Sequence, residues 1–160
     1  MVCSHSVTAE LGWWETAGTA KGRGGTELVR DSDKTFWHVK TVERVSRIDL
    51  RVTIDGLDAD SRPWPRLVAG ETVEIVYRAT NAGNSPLWSL EIRDPNVPFS
   101  AMACWGSRDP LPGIALTCRA AIVVGEGKRW EEIEAVAWNS DGTRIVGEDS
   151  ICYVGVIGPT

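Results

Sequence analysis

Between Gly70 and Thr80, Val73, Ile75, Tyr77 and Ala79 alternate with Thr72, Glu74, Arg78 and Thr80. A period of two marks a strand with one buried face, because successive strand side chains point to opposite sides. Asn81-Ala82-Gly83-Asn84-Ser85-Pro86, a cluster of turn formers, ends that strand. The next run, 87–93, places Trp88, Leu90 and Ile92 on one face, and Asp94-Pro95-Asn96-Val97-Pro98 breaks it. Similar alternation marks 48–54 (Ile48, Leu50, Val52, Ile54), 116–124 (Leu116, Cys118, Ala120, Ile122, Val124) and 132–138. Asn139-Ser140-Asp141-Gly142-Thr143 reads as a hairpin turn into a last strand over 144–154. Six or seven short strands at intervals of about 8–15 residues, with no helical stripe, predict an all-β antiparallel sandwich over 48–156.

Residues before that unit echo its C-terminal part. Cys3-Ser4-His5-Ser6-Val7-Thr8-Ala9 aligns with Cys118-Arg119-Ala120-Ala121-Ile122-Val123-Val124, and Trp13-Trp14-Glu15 with Trp130-Glu131-Glu132. Gly25-Thr26-Glu27-Leu28-Val29-Arg30-Asp31-Ser32-Asp33 aligns with Gly142 to Ser150, and Phe36 falls on Tyr153. A repeat of this kind implies a recurring supersecondary unit. Residues 1–39 are therefore expected to be a partial copy, holding only the C-terminal three strands, with 40–47 as a charged linker.

Composition narrows the function classes. The chain of 160 residues is 42% hydrophobic and 24% charged, with net charge −5, and eight Trp stand against two Phe and two Tyr. Seven basic residues meet six acidic ones before Ile48, and ten meet sixteen from Ile48 onward. Neither part has the basic surplus that phosphate neutralisation requires, so no nucleic-acid partner is expected. No apolar run reaches the roughly 20 residues of a membrane-spanning helix, so no membrane insertion is expected. Met1 to Glu10 lacks the basic and apolar regions of a signal peptide.

The four cysteines, Cys3, Cys104, Cys118 and Cys152, form no CxxC pair, and the histidines are His5 and His38 alone. That spacing does not suit tetrahedral zinc. A Cys104–Cys118 bond would close a short loop and contribute roughly 3 kcal/mol by the chain-entropy argument. Four small buried thiols in a reducing compartment are the alternative. Asp55, Asp58 and Asp60 are candidate calcium ligands by their oxygen chemistry and spacing, against the plainer role of turn capping. No other cofactor is expected, and no catalytic set is visible. Gly22-Arg23-Gly24-Gly25 lacks the Lys-Ser/Thr of a phosphate loop, and Glu131 and Glu132 point to opposite faces of a strand.

Tryptophans are the candidate contact residues. Trp64 stands in the stiff loop Arg62-Pro63-Trp64-Pro65-Arg66, adjacent Trp13 and Trp14 fall on opposite faces of a strand, and Trp105 follows Cys104. Exposed Trp suits protein interfaces and sugar stacking. The plainer reading puts Trp88 and Trp130 in the core.

The order Ile48-Asp49-Leu50, Ile54-Asp55-Gly56-Leu57-Asp58-Ala59-Asp60, Gly70-Glu71-Thr72-Val73, Thr80-Asn81-Ala82-Gly83-Asn84-Ser85-Pro86-Leu87, Leu111-Pro112-Gly113, Thr117-Cys118 and Ser140-Asp141-Gly142-Thr143 resembles the Ig-like conserved-repeat domains of bacterial secreted and cell-wall proteins. The resemblance implies an Ig-like sandwich and a Cys104–Cys118 bond. It leaves Cys3 and Cys152 either as free thiols or joined to each other. Arg47 and Arg51 stand where some related surface domains carry the Lys of an isopeptide, so none is expected here.

The resemblance implies a non-catalytic spacer or adhesive module, extracellular or on the cell surface, with protein partners. One alternative is a subunit of a surface filament or phage virion decoration, whose partial repeat a neighbouring subunit completes by strand exchange. Another is a carbohydrate-binding module that stacks a glycan on Trp64 and Trp13 or Trp14.

Overall fold

A computed structural model describes residue 10 and residues 12–24 and 27–158. The chain divides into two compact units, Met1–Glu43 and Arg44–Thr160. Among the described residues the one helical element is a single 3-10 turn, Phe99–Ala101, so the all-β expectation holds.

In the first unit, strand β1 (Gly12–Gly24) pairs antiparallel with β2 (Glu27–Val39) in unbroken register, from Gly12 opposite Val39 to Gly24 opposite Glu27. Both strands fall within 1–39, the segment expected to hold three. The third, expected at 3–9, lies outside the described residues, as do Cys3 and His5.

The second unit holds nine strands: β3 (Ile48–Ile54), β4 (Leu57–Asp58), β5 (Arg66–Val68), β6 (Thr72–Asn81), β7 (Trp88–Arg93), β8 (Ala103–Gly106), β9 (Ala115–Val123), β10 (Gly127–Trp138) and β11 (Arg144–Val156). They form one sheet in the order β5-β11-β10-β7 and another in the order β4-β3-β6-β9-β8. Alternation puts Ile48, Leu50, Val52, Ile54, Ile75, Tyr77 and Ala79 of the second sheet into the same core as Leu90, Ile92, Ile133, Ala135, Ala137 and Ile151 of the first. Two sheets facing each other across one apolar core make a β-sandwich arrangement.

Buried polar groups in this core are hydrogen-bonded. Tyr77 donates its hydroxyl to Asp94 at 2.7 Å. Burial, then the bond to Asp94, pushes its phenol far above the usual range. Asn81, fully buried, donates to the carbonyls of Ser85 and Pro110 at 2.8 and 2.9 Å and accepts from the Gly83 N–H. One side chain thus fixes the 81–85 turn against the loop before Leu111.

The structure alters three expectations. Trp88 does not share the buried face of Leu90 and Ile92; it is 40% exposed. Ser89, between them, has φ of 55°, and the β7–β10 register shifts between Val136 and Trp138. A left-handed residue at a bulge interrupts the two-residue alternation, so the ring turns outward. Trp130 is likewise exposed, at 55%. The end of the charged segment 40–47 is bonded rather than only a linker: Val45 exchanges hydrogen bonds with Asn84, and the Ala82 N–H donates to the Arg47 carbonyl. Its last residues thereby belong to the second unit.

Candidate interaction surfaces

Cys104 and Cys118 stand directly opposite each other on β8 and β9 and are joined by a disulfide. β8 is the four-residue edge of its sheet, so the bond pins an edge that two-strand pairing alone holds weakly. Trp105, next to this bond, is about half exposed, with the Arg119 guanidinium 5.0 Å from its ring centroid. Cys152 carries a free, buried thiol, whose pKa burial pushes up.

Trp64 is half-buried rather than projecting. Its ring carries the Arg62 guanidinium at 4.5 Å and the Lys128 ammonium at 4.0 Å from the centroid. Cations over an indole face are attracted by its quadrupole, at roughly 0.5–1 kcal/mol per exposed pair. The loop 59–66 reaches this position by pairing along β11: the Cys152 and Val154 N–H groups donate to the Ala59 and Pro65 carbonyls. Trp64 and Trp105 thus each carry a cation over the ring, the kind of contact that a stacking sugar would also make.

On the ribbon, Trp13 is 79% exposed and stacks on His38, its cross-strand partner, with centroids 4.3 Å apart. Trp14 lies on the opposite face, 37% exposed, and donates its indole N–H to the Glu10 carbonyl at 2.8 Å. The expected division of this pair between two faces is what the register produces.

Asp55, Asp58 and Asp60 do not converge. Asp55 occupies the left-handed first position of the turn between β3 and β4, Asp58 lies in β4, and Asp60 follows with its N–H toward the Asp58 carboxylate. Among the described residues no three His, Cys, Asp or Glu side chains form a metal-holding group.

A different acidic constellation emerges from the fold. Asp60 joins Glu132, Glu134, Glu148 and Asp149 around an open groove of about 560 Å³. The β10–β11 register brings these together by setting Glu134 opposite Glu148 and Ile133 opposite Asp149. Asp149 accepts from the Val52 N–H at 2.6 Å and from the Ser150 N–H at 2.8 Å. Val52 lies one residue before the stretch that β4 covers, so the carboxylate caps a backbone donor which no strand reaches. Burial, the largest cause, raises the Asp149 pKa; the two N–H bonds oppose it, and Asp60 and Asp58 add to it. Sequence spacing gave no sign of this cluster, because its members come from three separate segments.

No family model matches the chain, and no curated protein matches it.

Proposed function

We propose that the chain is a non-catalytic structural and interaction module working outside the cell, an Ig-like sandwich in the manner of the bacterial surface repeats it resembles. The observation that carries this reading is the Cys104–Cys118 bond, placed across neighbouring strands at a sheet edge. Disulfides form and persist in oxidising compartments and stabilise domains of modest core. Exposed Trp105, Trp130 and Trp88 supply rigid, amphipathic contact area of the kind that protein interfaces use. Differential alkylation of the protein in its producing cells tests the reading, combined with labelling by a membrane-impermeant reagent. Cys104 and Cys118 should be recovered as a bonded pair in surface-labelled or secreted material. Recovery of both as free thiols in an unlabelled cytoplasmic pool would sink it.

A second reading is a subunit of an assembly, a surface filament or virion decoration, in which a neighbour completes the N-terminal unit. The ribbon supports it. β1 and β2 have no further sheet partner among the described residues, and two-stranded ribbons are marginal in water on their own.

A further inference from the structure

The ribbon's two faces carry opposite charge. In an antiparallel pair, residues directly opposite share a face. One face therefore presents Lys21 with Arg30, then Lys34, then Phe36, and ends in the stacked Trp13 and His38. Glu15 is the one acid among the described side chains of that face, and it pairs with Lys34. The other face presents Asp31 and Asp33, with no base among its described side chains, and ends in Trp14 opposite Trp37. The charged bands coincide along the ribbon axis: the Gly18–Asp33 and Ala20–Asp31 pairs fall between the Ala17–Lys34 and Lys21–Arg30 pairs. Both aromatic ends lie at the same end of the ribbon.

We infer that the occupant of each face is the opposite face of a second copy of this chain. Two ribbons stacked in the same direction, at the roughly 10 Å spacing of packed sheets, bring Lys21 and Arg30 of one copy over Asp31 and Asp33 of the next. The same alignment sets Trp13 and Phe36 against Trp14 and Trp37. Strands of 13 residues give a contact about 44 Å long. Two strands in width make roughly 900 Å² in total, at the weak end of specific interfaces, so the association is concentration-dependent. The contact joins unlike faces and leaves one of each unsatisfied, so it propagates head to tail unless the rotation closes a ring. This identifies the surface used in the assembly reading above and rests on that reading.

Sedimentation velocity on the full chain tests it, with wild type, K21E/R30E and D31K/D33K measured singly and as an equimolar mixture of the two variants. Wild type should associate, and about tenfold more weakly when salt rises from roughly 50 to 500 mM. K21E/R30E is acidic on both faces and D31K/D33K is basic on both, so each alone should lose self-association. Their mixture should regain it, which also shows that neither variant has simply unfolded. A mixture as monomeric as its components overturns the stacking. Association unchanged in both single variants also overturns it while leaving the assembly reading intact, since pairing at a ribbon edge does not depend on face charge. A wild-type chain monomeric at all concentrations overturns both.

Discussion

At Asp149 burial and hydrogen bonding pull the same carboxyl in opposite directions, and burial wins, so its pKa is raised. A carboxyl with a raised native pKa binds its proton more tightly folded than unfolded, so its contribution to stability grows as pH falls through that interval. The stability of wild type relative to Asp149→Asn should therefore increase from about pH 7 toward about pH 4, the unfolded carboxylate range. Chemical denaturation of both proteins across that interval measures the difference, and a constant or shrinking gap refutes the assignment. This residue was illegible in the sequence. Its partner Val52 is 97 positions away, and alternation along one strand cannot reveal a donor left open on another sheet. Ile75, Tyr77 and Ala79 were legible for the converse reason: their burial follows from a periodicity contained in ten residues.

Strands were readable wherever a local pattern governs them, as the agreement over Ile48–Ile54 and the 139–143 turn illustrates. In that turn the Asn139 side chain accepts from the Asp141 and Thr143 N–H groups and Gly142 takes φ of 74°, as the residue types require. The pattern misled at Trp88 because a bulge at Ser89 costs the alternation one step, and Ser carries no sign of left-handed backbone. Close approach between strands was equally hidden. A Cβ at Gly147 of β11 would stand 2.8 Å from the Ile48 side chain and 2.9 Å from its carbonyl oxygen, on the facing sheet. Backbone cannot retreat as a flexible side chain does, so Gly147→Ala should destabilise the second unit by about 1–3 kcal/mol. Gly142→Ala, with open space around its Cβ but φ of 74°, is the comparison that separates crowding from backbone strain. A loss for Gly147→Ala below that range in urea titrations would argue against a steric cause at Gly147.

Across the whole chain, the two units differ in what holds them. The Arg44–Thr160 unit closes two sheets on one core and satisfies its buried polar side chains internally. Most of the ribbon's described side chains are exposed, on both faces. Alternation along β2 parts Asp31 and Asp33 from Arg30 and Lys34, but only the cross-strand register sets Lys21 of the other strand on the Arg30 face. The edge disulfide has a mechanical corollary. Under a load applied through the chain ends, a 14-residue separation between bonded cysteines takes the intervening loop out of the extensible length. In force spectroscopy, the contour released on unfolding should be shorter by about 45 Å in oxidised than in reduced protein. A chain drawn taut between two anchors would keep that length in reserve, to be paid out only when a reductant cuts the bond.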